Sequence, residues 1–155
     1  MRLTSAELED QLRKVRDLES RLTFQLAVLS RALDHQGAEM LRDQSINLTA
    51  YRILNIVDTW GAISISDLSR TCGIDRGQIS RTAEALAKQE LVRFEGDSDN
   101  KRKKLVALTK EGRAKLDEVR PRFVARNHRL EEALGPEALD GLRKGLQRLS
   151  EVMDE

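Results

Sequence analysis

Gln78 and Arg81 are three positions apart in a stretch that also carries Arg76, Thr82 and Lys88. A glutamine amide sets a donor beside an acceptor and matches adenine, while the arginine fork matches guanine. If residues from Arg76 to about Gln89 form a helix, Ile79, Ala83 and Leu86 share one face. Arg76, Gly77, Gln78, Arg81, Thr82 and Lys88 then lie outward or at its borders, where a major groove would meet them. Gly77 lets the backbone come close to a phosphate. Further on, Lys101-Arg102-Lys103-Lys104 puts consecutive cations after Asp97-Ser98-Asp99-Asn100. A flexible loop with such an end suits phosphates and a narrowed minor groove. The same loop is no calcium site, because Lys101 and Arg102 fill positions that need an oxygen ligand and a glycine.

An isolated Gln or Arg on a surface helix is usually a solvated position, so the flanking elements decide the reading. Leu48 to Val57 has the period of a helix, with Tyr51, Leu54 and Val57 or Ile53, Ile56 and Val57 inward, and Gly61 stops it. Ser64 and Asp67 have capping-box spacing, and Ile63 and Leu68 take the staple positions around them. This predicts a helix from Ile65 to Cys72, ended by Gly73. Asp75 and Gln78 form a second box, flanked by Ile74 and Ile79. Two short helices joined by a tight turn containing Gly are the content of a helix-turn-helix. Leu91 to Glu95 and Lys104 to Thr109 have strand composition around a polar turn, which predicts a hairpin with a basic tip. Thr109 caps a helix from Lys110 to about Ala133 that Pro121 must kink or divide.

The two ends of the chain read differently. Leu8, Leu12, Val15, Leu22, Leu26, Leu29 and Leu33 alternate spacings of four and three with one seven-residue gap, the stripe of an amphipathic helix of about seven turns. Leu139, Leu142, Leu146, Leu149 and Met153 repeat the spacing after a break at Gly135-Pro136. Two copies packed across a two-fold axis would bury both seams, which predicts a homodimer. The alternative is that the termini pack on each other within one chain.

Composition narrows the function classes. The chain has 155 residues, 34% charged and 3% aromatic, with a net charge of +1. Its length favours a single domain over 1–155, with 1–42 and 113–155 as a helical dimerisation region and 46–112 as the DNA-binding lobe. The fold class is mainly α with a small β-hairpin wing. Bulk charge announces no nucleic acid, but Arg76 to Lys104 holds eight bases and five acids, a local net of +3. The scarcity of aromatics disfavours single strands and RNA, and the turn before the recognition helix with the basic hairpin after it make double-stranded DNA the expected partner. No apolar run spans a bilayer and the N-terminus opens into a polar helix, so no membrane is involved and a cytoplasmic location is expected. One cysteine, Cys72, excludes a disulfide framework and suits packing. His35 and His128 lack metal-ligand partners, so neither metal nor cofactor is expected. No hydrolase, zincin, P-loop or dinucleotide motif marks an enzyme. A winged helix acting only as a protein-interaction module stays the alternative, against which the basic wing argues.

From Leu48 to Gly112 the order of helix, capped short helix, recognition helix and hairpin resembles the multiple-antibiotic-resistance regulator (MarR) family. Leu91-Val92-Arg93-Phe94 before the wing and Lys104-Leu105-Val106-Ala107-Leu108-Thr109-Lys110-Glu111-Gly112 after it carry the likeness, and the flanking helices resemble its dimerisation region. Asn100-Lys101-Arg102 is similar to the family's Asp-x-Arg, whose Arg enters the minor groove, with Asn100 in place of the acid. Glu90 stands where members commonly carry glycine, so the chain must turn there without the easy left-handed residue. The resemblance implies a transcription regulator, usually a repressor, released by a small and often aromatic ligand. His35 and Trp60 are its candidate ligand-binding residues, by their position in that architecture.

Overall fold

The computed structural model describes residues 4–96 and 104–153. Along the chain run α1 (Ser5–Glu19), α2 (Leu22–Glu39), α3 (Leu48–Trp60), β1 (Ile63–Ser64), α4 (Ile65–Cys72), α5 (Arg76–Lys88), β2 (Val92–Gly96), β3 (Lys104–Leu108) and α6 (Lys110–Met153). The chain is mostly helical with a small antiparallel sheet, the winged-helix class its sequence implies. Two compact units divide it, residues 1–48 and 49–155. Among the described residues no helix is long and apolar enough to cross a membrane.

In the first unit, the long amphipathic helix expected from Leu8 to Leu33 is two helices. Thr4 starts α1 with a capping box: its hydroxyl accepts from the Glu7 amide at 3.3 Å and its amide donates to the Glu7 carboxylate at 2.8 Å. That backbone bond, helped by the Thr4 hydroxyl, holds Glu7 below the ordinary carboxylate range. The break comes at Ser20 and Arg21, inside the seven-residue gap of the leucine stripe. Ser20 donates its hydroxyl to the Asp17 carbonyl at 2.9 Å, satisfying a last-turn acceptor, and Arg21 is extended with ψ 127°. No described residue of α1 is buried.

The second unit holds a core drawn from every layer: Ile53, Leu54 and Val57 of α3, Leu68 of α4, Ile79, Ala83 and Leu86 of α5, Val92 and Val106 of the sheet, and Leu116, Val119 and Phe123 of α6. Both alternative inward faces read for α3 contribute, since Tyr51, Leu54, Val57 and Ile53 are all buried while Ile56 is half-buried. The Tyr51 ring stacks on Phe123, centroids 3.7 Å apart and planes 10° from parallel, and the Arg126 guanidinium lies 5.3 Å from the Phe123 centroid. Burial pushes the Tyr51 phenol up, against the opposing pull of Arg120 and Arg126.

The sheet has the order β1-β3-β2. Phe94 faces Val106 across the hairpin, and Ile63 and Ser64 pair with Val106 and Leu105. Strand β1 is absent from the sequence reading because two residues carry no periodicity. Pro121 neither divides α6 nor gives it non-helical dihedrals. Pro121 and Asp117 are exposed, so the carbonyl left without an amide partner one turn back is in reach of water. The interruption is at Gly135, with φ 71° and ψ 168°, and Arg143 beyond it bonds Glu131 before it at 2.8 Å.

Candidate nucleic-acid interface

Gly73 makes the turn that sets α5 against α4. With φ 63° it takes the left-handed conformation, and its amide and that of Ile74 close on the Arg70 and Ser69 carbonyls at 3.3 and 3.2 Å. The Ser69 hydroxyl donates back to the Ile74 carbonyl at 2.7 Å, tying the turn from its other side. Ser64 caps α4 as its spacing implies, accepting from the Asp67 amide at 3.2 Å. The Asp67 carboxylate, a methylene shorter than glutamate, takes the Ser64 hydroxyl at 2.5 Å.

Helix α5 starts as read, with the Asp75 carboxylate accepting from the Gln78 amide at 3.0 Å. The other half of that box is not formed. The Gln78 side chain turns away from Asp75 and donates from Nε2 to the Thr49 hydroxyl of α3 at 3.3 Å. Ile79, Ala83 and Leu86 are buried, while Arg76, Gln78, Arg81 and Lys88 are exposed and Gly77 and Thr82 half-buried. Thr82 spends its hydroxyl proton on the Gln78 carbonyl at 2.9 Å. A Cβ on Gly77 would stand 3.0 Å from Asp75 Oδ1 and 3.3 Å from Arg81 Nη1. The absent methyl therefore leaves room first for the Asp75 carboxylate that caps the helix and then for the Arg81 guanidinium, a role the sequence did not suggest.

Behind this face the chain turns at Glu90, which has φ 59°. It is the left-handed residue that the Lys88-Gln89-Glu90-Leu91 sequence demands without offering a glycine. The surroundings hold it there. The Leu91 amide bonds the Leu86 carbonyl at 3.0 Å, the Thr109 hydroxyl donates to the Glu90 carbonyl at 2.6 Å, and the Thr109 amide bonds the Leu91 carbonyl at 3.3 Å. Thr109 also caps α6, accepting from the Gly112 amide at 2.9 Å. Gly112 packs so closely that a Cβ there would lie 1.9 Å from the Leu91 carbonyl oxygen. The hairpin that follows sits on this clamp, and Arg93 on β2 bonds the Leu108 carbonyl at 3.0 Å and pairs with Glu95. Lys101, Arg102 and Lys103 of the tip lie outside the described residues.

A second fixed point joins α3 to α6. Asp58, with a side chain 11% exposed, pairs with both Arg113 and Arg120. The Arg120 hydrogen bond, with the charges of both arginines, holds its carboxyl below the ordinary range against the opposing effect of burial. Sequence reading missed it because the partners lie far along the chain. The only trace is the seven-residue spacing of the two arginines on one helix face.

The remaining candidates are placed as follows. Trp60, at the end of α3, is 71% exposed, so it does not cover a core edge. His35 on α2 is exposed. Cys72 is half-buried, and burial pushes its thiol up with Arg52 opposing, which suits a packed thiol better than a reactive thiolate.

Residues 46–104 match the model of the MarR family. An uncharacterized protein of Mycobacterium tuberculosis is 25% identical over 130 residues, covering 84% of this chain and 90% of its own. A MarR/EmrR family transcriptional regulator from Acinetobacter superposes with TM-score 0.78 at 23% identity, covering 85% of this chain and 94% of its own. The structure of BpsR from Bordetella bronchiseptica, whose DNA binding is regulated by 6-hydroxynicotinic acid, superposes with TM-score 0.76 at 21% identity over the same shares. At these identities the two structures establish a shared fold. The family match lies on the helix-turn-helix and the first strand of its wing, so residues 46–104 form a winged helix of the MarR type.

Proposed function

We propose that the protein is a homodimeric repressor that holds an inverted-repeat operator through α5 and the wing tip and releases it when a small aromatic ligand binds. The observation that carries this reading is the face of α5: Arg76, Gln78, Arg81 and Lys88 exposed opposite Ile79, Ala83 and Leu86, which are buried. In this reading Gln78 and Arg81 meet base edges, while Arg76, Gly77, Thr82 and Lys88 border the groove. Lys101, Arg102 and Lys103 meet phosphates and the minor groove. Two-fold pairing is supported by leucines left outside, Leu8, Leu12, Leu22 and Leu29 near one end and Leu142 and Leu146 near the other. A dimer places half-site centres about 34 to 36 Å apart. The regions 1–42 and 113–155 would then form the dimerisation part of one cooperative molecule and 46–112 its DNA-binding lobe. Ligand release is supported by the Bordetella neighbour, and the exposed rings of His35 and Trp60 are the groups we assign to ligand contact.

The test is selection of bound duplexes from a random pool, followed by titration at several salt concentrations. A palindromic site should emerge. Gln78→Ala or Arg81→Ala should cost about 1 to 3 kcal/mol on it and relax the preference at one position per half-site. Arg102→Ala should weaken most sequences together and lower the salt slope by about one. Failure to bind any duplex at low salt would leave the protein-interaction module as the reading.

A further inference from the structure

Gln78 approaches DNA with one of its amide hydrogens already committed. Its Nε2 donates to the Thr49 hydroxyl at 3.3 Å, across 29 residues of sequence and from a different helix. A glutamine amide has two N–H bonds on the same nitrogen. The one directed away from the carbonyl oxygen is the one a lateral partner can take without disturbing the edge used for base reading. The other N–H and Oε1 then point the same way, as the adjacent donor and acceptor that adenine N7 and N6 require. Without a lateral partner the amide swings about a broad terminal torsion; the Thr49 hydroxyl, able to accept from Nε2 or to donate to Oε1, holds the plane of the amide. Thr49 is half-buried in the first turn of α3, and its neighbour Ala50 is fully in the core, so the hydroxyl is presented from a rigid element.

We propose that Thr49 is a specificity-determining residue that acts through Gln78: it holds the plane of the amide, with Nε2 toward its hydroxyl, and so sharpens a preference for adenine at one position of each half-site. The proposal rests on the reading that Gln78 meets a base edge. Thr49 is a positioning residue here, without contact to the base. It does for the amide what an outer-shell hydrogen bond does for any recognition group, lowering the number of orientations to be frozen on binding.

The experiment compares full-length wild type, Thr49→Val, Thr49→Ser and Gln78→Ala by duplex selection, then by titration of the selected site and the same site with that adenine replaced by guanine. Valine keeps the shape of threonine without its hydroxyl, and serine keeps the hydroxyl. The discrimination between the two duplexes should fall about threefold to tenfold in Thr49→Val, the range that one net hydrogen bond supports. Thr49→Ser should restore it, and affinity for unrelated duplex and the salt slope should stay at wild-type values. Wild-type discrimination in Thr49→Val, alongside its loss in Gln78→Ala, would overturn the positioning role while leaving Gln78 as a reader. Unchanged discrimination in Gln78→Ala would remove the base-reading premise and the proposal with it. Weaker binding to all duplexes in Thr49→Val with a reduced salt slope would mean that Thr49 contacts a phosphate, which also overturns it. If Thr49→Val does not fold, the comparison of Thr49→Ser with Thr49→Ala decides on the same readout.

Discussion

The helix-turn-helix lobe and the terminal helices carry the same kind of apolar periodicity and have opposite fates. On α5, Ile79 and Ala83 are 0% exposed and Leu86 1%, whereas Leu12 of α1 is 47% exposed and Leu146 of α6 is 48%. In the lobe, short elements meet across three layers, and each stripe finds its cover within the same unit. Toward the ends the leucine faces of α1 and of the last part of α6 stay exposed in the single chain. A periodic stripe therefore states that a face requires burial and leaves open whether the same chain supplies the cover.

The sharpest way to break this comparison is to truncate one leucine of each kind. Leu86→Ala should lower the stability of the chain by about 2 to 5 kcal/mol at any protein concentration. Leu146→Ala should act through association, weakening the proposed dimer about tenfold or more in sedimentation equilibrium and making its unfolding more concentration-dependent. Equal, concentration-independent losses in both variants would mean that the terminal seam is covered within one chain.

Close approach of backbone is a second property of the lobe. Gly112→Ala would set a methyl 1.9 Å from the Leu91 carbonyl oxygen, which belongs to the clamped turn and cannot move aside. A loss of about 3 kcal/mol or more in denaturant unfolding is expected, with poor expression. A near-neutral result would show that the Glu90 turn is looser than its hydrogen bonds imply. At Gly145, in the C-terminal segment, a Cβ would meet nothing within 4 Å, so Gly145→Ala should be neutral or stabilising.

Asp58 tests the tie between α3 and α6. Its folded-state pKa lies below the unfolded value of about 3.9, so the stability it contributes is fully present above that pH. That stability is lost as pH falls through the depressed folded value. Asp58→Asn should cost about 1 to 3 kcal/mol near neutral pH, because two partly exposed arginines lose a charged acceptor. The gap between variant and wild type should close in acid. A gap that persists at pH 2 would assign the loss to packing instead of charge.

The smallest effect is a gain. Glu90 holds φ 59° at an energetic cost of about 1 to 2 kcal/mol for a residue with a side chain. Glu90→Gly removes that cost and returns part of it as unfolded-chain entropy, so a net stabilisation of about 0.5 to 1 kcal/mol is expected. The same exchange has no counterpart in the terminal helices, where Gly135 already takes the positive φ. Destabilisation by Glu90→Gly would mean that the glutamate side chain contributes a contact larger than the strain.

What the sequence alone determined is a set of features that act within a few residues. Ser64, Asp75 and Thr109 cap the helices they precede, Gly73 takes the left-handed turn, and Glu90 is forced into one. Such features are legible because a cap or turn satisfies backbone groups three or four positions away, and the residue types able to do so are few. The buried face of α5 was legible for a similar reason, since Ile79, Ala83 and Leu86 repeat with the helix. Local rules also overreached. The N-terminal stripe did not disclose the break at Ser20, and Pro121 did not divide α6, where the carbonyl it leaves unpaired is in reach of water.

Only the tertiary structure decided which distant groups meet. Gln78 had a local partner in Asp75 by spacing and took Thr49 instead. Asp58 found Arg113 and Arg120 on another helix, and β1 became a strand only because β3 lay beside it. Gly77 looked like an opening for a phosphate and is, in the folded chain, also the space beside the Asp75 carboxylate and the Arg81 guanidinium. Each of these outcomes depends on a separation in space that no spacing in sequence encodes. Side chains with several available partners are settled by whichever one the packed core brings within hydrogen-bond reach.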